Sequence, residues 1–284
     1  MLRGSCLCGD VAFEIDGLAT RMSHCHCSMC RKKHGSAFGS FLWVPDAKFR
    51  WLRGDEKIRS RESSPGTPRQ FCPRCGSSVP GAAYAGVRYV PAGLLDDDPK
   101  PGQAEHVFVA SKAPWHEIAD ALPRFDEYPP GFGAGVATVR VTEPAPGVVR
   151  GACLCGAVAY EIDAPIEGAI YCCHCSRCRK ARAAAHATNL FVPFARFRWL
   201  RGEGRIDTYK VPEAERFSQA FCRDCGSPVP RVNPQSASGM AVVPAGSLED
   251  DPGVREGAHI FVKYKAPWYA IHDALPQYSE YRPT

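Results

Sequence analysis

The sequence predicts a mainly β protein made of two tandem domains with short helical turns, and three observations lead there. The first is an internal repeat: Cys25-His26-Cys27-Ser28-Met29-Cys30 returns in the second half as Cys173-His174-Cys175-Ser176-Arg177-Cys178. The second is a series of short alternating or aromatic runs closed by Pro or Gly, with few windows of helical period. The third is the cysteine pattern, 15 thiols in 284 residues gathered into closely spaced groups that one metal ion can tie together.

With 45% hydrophobic residues, the chain is long enough for two modest domains with cores of their own. The repeat places them at 1–128 and 149–284. Between them, 129–148 opens as Pro129-Pro130-Gly131 and is Pro-, Gly- and Val-rich, the composition of a linker.

From Gly4, a glycine-flanked turn carries Cys6 and Cys8 into a strand in which Val11, Phe13 and Ile15 alternate with Ala12 and Glu14. Gly151 to Ile162 repeats this stretch, with Cys153 and Cys155 in the turn. The three-cysteine loop comes next. Phe41–Pro45 and Phe49–Gly54 then read as short aromatic strands, with counterparts at Leu190–Pro193 and Phe197–Gly202. Phe71-Cys72-Pro73-Arg74-Cys75-Gly76 matches Phe221-Cys222-Arg223-Asp224-Cys225-Gly226, a knuckle turn whose glycine lets backbone amides approach the thiolates. Both repeats close with a His-led strand, at His106 and His259, followed by Lys-Ala-Pro-Trp ending at Trp115 and Trp268. Single helical turns are expected at Ile118–Leu122 and Ile271–Leu275, each before a proline. Each domain should therefore be a small, mainly antiparallel β structure.

Fifteen cysteines would suit a secreted disulfide scaffold, but Met1-Leu2-Arg3-Gly4 runs into the first motif with no apolar stretch resembling a signal peptide. A reducing, cytoplasmic setting is expected, and no apolar run approaches the roughly 20 residues of a membrane span. The formal charge of +5 counts every thiol as neutral. Two four-thiolate zinc sites and two three-thiolate sites would bring it to about −1, so the charge supports neither nucleic acid nor another polyanion as partner. Oligomeric state is not legible.

Seven cysteines fall in the first repeat and eight in the second, and only Cys172 lacks a counterpart, standing opposite His24. A C-x-C turn and a distant C-x-x-C knuckle can close a tetrahedron from two sides and stabilise the fold as a structural site does. The compact C-x-C-x-x-C supplies three corners by itself. Its fourth corner is left to water, to a substrate, or to His24, His26, His34 or His174. Three anionic sulfurs would acidify a zinc-bound water less than three histidines do, which disfavours a hydroxide-generating hydrolase. Such a soft site suits a fourth sulfur better, so the natural ligand is a thiol or a thiol adduct of an aldehyde.

The order G-x-C-x-C-G, C-H-C-x-x-C-R-K, F-C-x-x-C-G-S and K-A-P-W resembles the glutathione-dependent formaldehyde-activating enzyme family, which also includes centromere protein V-like proteins. The resemblance covers both halves. It implies zinc-binding β-tent domains, with structural zinc on Cys6, Cys8, Cys72 and Cys75 and again on Cys153, Cys155, Cys222 and Cys225. It further implies catalytic-type zinc on Cys25, Cys27 and Cys30 and on Cys173, Cys175 and Cys178, about four zinc ions per chain. Glutathione or another thiol would be the co-substrate. The implied activity is carbon-sulfur lyase chemistry on an adduct such as S-hydroxymethylglutathione.

Arg31, Lys32, Arg179 and Lys180 follow the last ligand of each loop and are candidates to hold the carboxylates of a glutathione-like substrate, against a solvated basic face. His106 and His259 are candidate proton carriers or backbone-bonded strand-end residues, and Trp115 and Trp268 core residues or a pocket wall. The second repeat replaces Gly35 and Phe38 by Ala183 and His186, so the first is expected to have the better pocket. Two other functions compete with the lyase: a non-catalytic zinc-binding interaction module, and a zinc hydrolase or lyase acting on an electrophile without a thiol cofactor.

Overall fold

The computed structural model describes residues 1–17, 19–131, 146–236 and 238–283. Most of the expected linker, residues 132–145, lies outside them. The described residues form two similar, mainly β halves, as the repeat requires. In the first, β1 (Leu2–Ser5), β2 (Ala12–Ile15) and β5 (Phe49–Arg53) make a three-stranded antiparallel sheet. A second sheet runs in the order β8-β4-β3-β9, from β3 (Arg21–Cys25), β4 (Gly39–Pro45), β8 (Val87–Pro91) and β9 (Gln103–Val107). Between β5 and β8, β6 (Arg59–Ser64) and β7 (Thr67–Phe71) form a hairpin ending at the knuckle. The second half repeats the plan. Its sheets are β10 (Val148–Ala152), β11 (Ala159–Asp163) and β14 (Phe197–Arg201); then β17 (Met240–Pro244), β13 (Ala187–Pro193), β12 (Ile170–Cys173) and β18 (Glu256–Ile260); and the hairpin β15 (Ile206–Lys210) with β16 (Ser218–Cys222).

The sheets are mainly antiparallel, as expected, with β9 and β18 lying parallel to β3 and β12 at the start of the three-cysteine loops. One expectation changes. Ile118–Leu122 and Ile271–Leu275 are not helical. Asp120 Oδ1 and Asp273 Oδ1 accept from the amides of Leu122 and Leu275 at 2.9 and 3.0 Å, a side-chain turn that competes with a helix. The two α-helices among the described residues start inside the three-cysteine loops instead, α1 at Ser28–His34 and α2 at Ser176–Arg182.

The halves are joined by a dense seam, which positions everything discussed below. Each helix packs on the other half's 3-10 turn, α1 on Ala245–Ser247 and α2 on Ala92–Leu94. The approach is close enough to require glycine: a Cβ on Gly93 would fall on the backbone of Ala183 and Ala184, and one on Gly246 would fall on Arg31 O and Ser36. The cores also interlock. Ala37, Phe38, Ala113 and Trp115 belong to the cluster built around Tyr160, Ile162 and Leu190, while Trp268 packs against the first half's cluster. Trp115 is thus a core residue, but of the opposite half.

Candidate metal centres

Four groups of cysteines bring their sulfurs together, each with all Sγ atoms within 4.8 Å of one another: Cys6, Cys8, Cys72 and Cys75; Cys153, Cys155, Cys222 and Cys225; Cys25, Cys27 and Cys30; and Cys173, Cys175 and Cys178. These are the sets that the spacing grouped. In the four-cysteine groups the Cys6–Cys8 and Cys8–Cys72 sulfurs are 3.5 and 3.7 Å apart, and Cys153–Cys155 and Cys155–Cys222 are 3.5 and 3.8 Å apart. A disulfide needs about 2.05 Å. A tetrahedron of sulfurs around zinc at about 2.3 Å has edges of roughly 3.8 Å, so the groups fit that ion. The amides of Val11 and Val158 point at Cys6 Sγ and Cys153 Sγ from 3.4 and 3.3 Å, and hydroxyls of Ser77 and Ser227 lie 3.3 and 3.4 Å from Cys75 Sγ and Cys225 Sγ. The two amide donors stabilise thiolates, which a metal requires.

The three-cysteine groups are made by a strand end and a helix start. Cys25 closes β3, and Cys27 caps α1 with its sulfur accepting from the Cys30 amide at 3.4 Å. Cys173, Cys175 and Cys178 repeat this at β12 and α2, with 3.3 Å for the cap. Cys25 and Cys27 Sγ are 3.6 Å apart, again a zinc-tetrahedron edge. No histidine joins either group among the described residues. His26 Nε2 lies 2.8 Å from His106 Nδ1, His24 Nδ1 2.9 Å from Ser40 Oγ, and His34 Nδ1 2.7 Å from Arg182 O.

His106 and His259 therefore do have polar partners, though not the backbone ones expected. His106 Nε2 meets Asp120 at 3.0 Å and His259 Nε2 meets Asp273 at 3.0 Å, while His174 Nε2 lies 2.8 Å from His259 Nδ1. Each half thus holds an Asp–His–His chain that ends on the residue between two ligand cysteines. A carboxylate accepting at Nε2 sets the tautomer of the first ring, which then accepts from the second and orients the loop. The sequence carried a signal for it, the equal spacing of 14 residues from His106 to Asp120 and from His259 to Asp273.

The basic residues after each loop go to the seam. Lys32 Nζ pairs with Glu249 and Lys180 Nζ with Asp96, each at 2.6 Å, and Arg179 Nη1 donates to Gly93 O and Leu95 O at 3.0 and 2.7 Å. Arg31 differs: its Nε is buried without a partner and its guanidinium feels Cys27 of the sulfur group. Lys32, Lys180 and Arg179 link the halves, where the sequence suggested substrate carboxylates. Gly35 and Ala183 are likewise the C-caps of α1 and α2, with φ of 57° and 51°, and Phe38 and His186 meet edge to face in the seam with ring centres 5.6 Å apart. Gly35 and Ala183 end the helices, and Phe38 and His186 line the small seam cavity described below, so the differences between the repeats fall at the seam.

The side chains around the first sulfur group are ones that sequence reasoning missed. Arg69 Nη1 donates to Cys30 Sγ at 3.5 Å, and Val107, Phe108, Phe125 and, from the other half, Leu154 pack on the cluster. Tyr128 lies edge-on to Phe108, with its hydroxyl pushed up to about 12 by burial and by the sulfurs of Cys25, Cys30 and Cys27. The second group is more open, since Cys175 and Cys178 are only half-buried.

The seam itself is rich in histidine. Around a cavity of about 30 Å³, room for one or two waters, lie His24, His106, His116, His186 and His259, and His116 Nδ1 pairs with Glu256 at 2.8 Å across the halves. Burial pushes His186 down to about 3, with Glu256 opposing and His259 adding to the shift. A base held neutral in the fold costs stability once the unfolded chain takes up its proton. Stability should therefore fall as the pH drops from about 6.5 towards 3, by about 2 kcal/mol for this one imidazole at pH 5. His186→Phe, the residue the first repeat has at this position, should flatten that slope. Urea midpoints of zinc-saturated protein at pH 7 and pH 5 measure it, and an unchanged slope would place the acid sensitivity elsewhere.

The model of the family described as glutathione-dependent formaldehyde-activating enzyme matches residues 1–111 and 148–264. A Halomonas elongata protein named "Putative glutathione-dependent formaldehyde-activating enzyme" is 30% identical over 128 residues, covering 42% of this chain and 81% of that protein. The crystal structure of a Rhodobacter sphaeroides protein is 25% identical, covers 33% of this chain and 87% of its own, and superposes with a TM-score of 0.28. The family match spans both sets of cysteine groups, and the chain belongs to the glutathione-dependent formaldehyde-activating enzyme family.

Proposed function

We propose that the protein is a zinc-dependent carbon-sulfur lyase that makes or breaks the bond between a thiol and an aldehyde, with S-hydroxymethylglutathione as the model substrate. The observation that supports this best is the contrast between two kinds of sulfur group in each half. Four sulfurs close a tetrahedron and leave no position free, whereas three leave one corner for an incoming ligand. Cys6, Cys8, Cys72, Cys75, Cys153, Cys155, Cys222 and Cys225 are then the structural ligands. Cys25, Cys27, Cys30, Cys173, Cys175 and Cys178 hold the working ions, four zinc ions in all. The two domains are 1–128 and 149–284, working as one body through the seam, and the setting is a reducing cytoplasm. Among the described residues no helix is long and apolar enough to cross a membrane.

Zinc in the open sites would lower the pKa of a substrate thiol and hold it as thiolate. In the forward direction that sulfur adds to the aldehyde carbon, the C–S bond forms, and the carbonyl oxygen takes a proton; the lyase direction reverses each step. The chain's own residues supply the rest. α1 and α2 present cap amides to Cys27 and Cys175, the Asp–His–His chains fix the loop backbone, and Phe108, Phe125 and Leu154 keep bulk water from the first site. The test is zinc-edge spectroscopy of the metal-replete chain with and without glutathione, alongside metal analysis. Close to four zincs, with two of them gaining a sulfur ligand when glutathione is added, is the expected result. Two zincs, or coordination unmoved by any thiol, would leave the interaction-module function as the better account.

A further inference from the structure

The repeats agree at every ligand and differ in where each puts a positive charge. In the first half Arg69, on β7, donates Nε to Ser63 Oγ at 2.8 Å and Nη1 to Cys30 Sγ at 3.5 Å. Its counterpart is fixed by register: Arg69 stands two residues before Phe71 on β7, as Gln219 stands two before Phe221 on β16. Gln219 is buried, and its Nε2 has no hydrogen-bond partner. The guanidinium that feels Cys178 and Cys173 in the second half is Arg182, at the position His34 holds in the first. Arg182 is buried in the seam, its Nη2 3.4 Å from Asn189 Oδ1 and its carbonyl 2.7 Å from His34 Nδ1. Arg69, by contrast, is only half-buried.

We infer that Arg69 is the specificity-determining residue of the first three-cysteine site, selecting a thiol that carries a carboxylate, and that the second site lacks this selection. The inference rests on the reading of these sites as thiol-binding zinc centres. Three thiolates around a dication carry one net negative charge, and a fourth thiolate makes two. A substrate carboxylate adds a third negative charge in a partly desolvated place, where repulsion is strong. A fixed guanidinium against Cys30 offsets this and has donors for a carboxylate as well. At the second site Gln219 brings a neutral amide to the matching position, and the Arg182 charge is sealed behind the loop.

The experiment uses the full chain with cobalt(II) in place of zinc, titrated with 3-mercaptopropionate and with its neutral amide, 3-mercaptopropionamide, and followed by the sulfur-to-cobalt absorption. The unaltered protein should bind the acid in two steps of different affinity. Arg69→Gln should weaken the tighter step about tenfold while changing amide binding by less than about threefold, and Arg69→Lys should restore part of the loss. Gln219→Arg should tighten the weaker step. Equal losses for acid and amide, unchanged steps, or loss of cobalt from Arg69→Gln would each overturn the assignment, the last by showing that Arg69 serves the metal and not the ligand. An unaltered protein that binds neither thiol would overturn the thiol-centre reading and this inference with it, an outcome distinct from one in which both thiols bind and Arg69 makes no difference.

Discussion

Cys75→Ser or Cys225→Ser is expected to unfold the whole described body, not only the half that carries the change. A closed four-thiolate zinc contributes about 10–16 kcal/mol of apparent binding free energy, as much as the total stability of a typical domain, about 5–15 kcal/mol. A serine oxygen in place of one thiolate forfeits most of that. The damage spreads because the two knuckles face each other: a Cβ on Gly76 would fall on the ring of Phe221, and one on Gly226 on the ring of Phe71. Lys33 Nζ, buried and 4.7 Å from the Phe71 ring centre, donates to Cys225 O at 2.8 Å. With the Cys225 turn loosened, α1 of the other half loses its anchor. Thermal melts followed by circular dichroism, with zinc counted before and after gel filtration, should show no cooperative transition near that of the unaltered protein and the loss of more than one zinc. Two separate transitions, one of them unshifted, would mean that the halves fold independently.

The cysteine groups, the repeat and the strands were legible because their causes are local. Ligand spacing, two-residue alternation and the knuckle glycines at φ of 75° and 70° are written in consecutive residues. The helices were missed because a seven-residue helix capped by a metal-binding cysteine has no propensity signal, its first turn being set by the Cys27 and Cys175 sulfurs. The seam was invisible for a different reason. A lysine meant for Glu249 looks the same in the sequence as one meant for a substrate carboxylate, and Gly93 shows its purpose only when Ala183 and Ala184 lie against it. Lys32, Arg179, Lys180, Gly35 and Phe38 all stand at the seam, a placement that depends on which surface each half turns towards the other.

Cys27→Ala should lower kcat/KM for thiol-aldehyde adducts at least about a hundredfold, whereas Cys175→Ala should change it by less than about threefold. The first site was expected to lead because of Gly35 and Phe38, but those residues serve the seam. The reasons the structure offers lie at the sulfurs themselves. Cys25, Cys27 and Cys30 are buried under Phe108, Phe125 and Leu154, with Arg69 on one sulfur, while Cys175 and Cys178 stand half-open. Tyr128 sits beside the first group at 42% exposure, and its counterpart Tyr281, packed on Phe261 in the same edge-on way, is 71% exposed. An adduct in equilibrium with free aldehyde is best handled where water is excluded, because each interaction with the developing oxyanion is then stronger. The fold should survive the change: Cys27→Ala removes a helix cap worth about 1 kcal/mol and an open metal site, not a closed one. A melt close to that of the unaltered protein, together with the lost turnover, would separate a working site from a structural one. If Cys175→Ala abolishes turnover while Cys27→Ala leaves it intact, the enclosed site is not the productive one, and the greater access of the second outweighs the charge and shelter of the first.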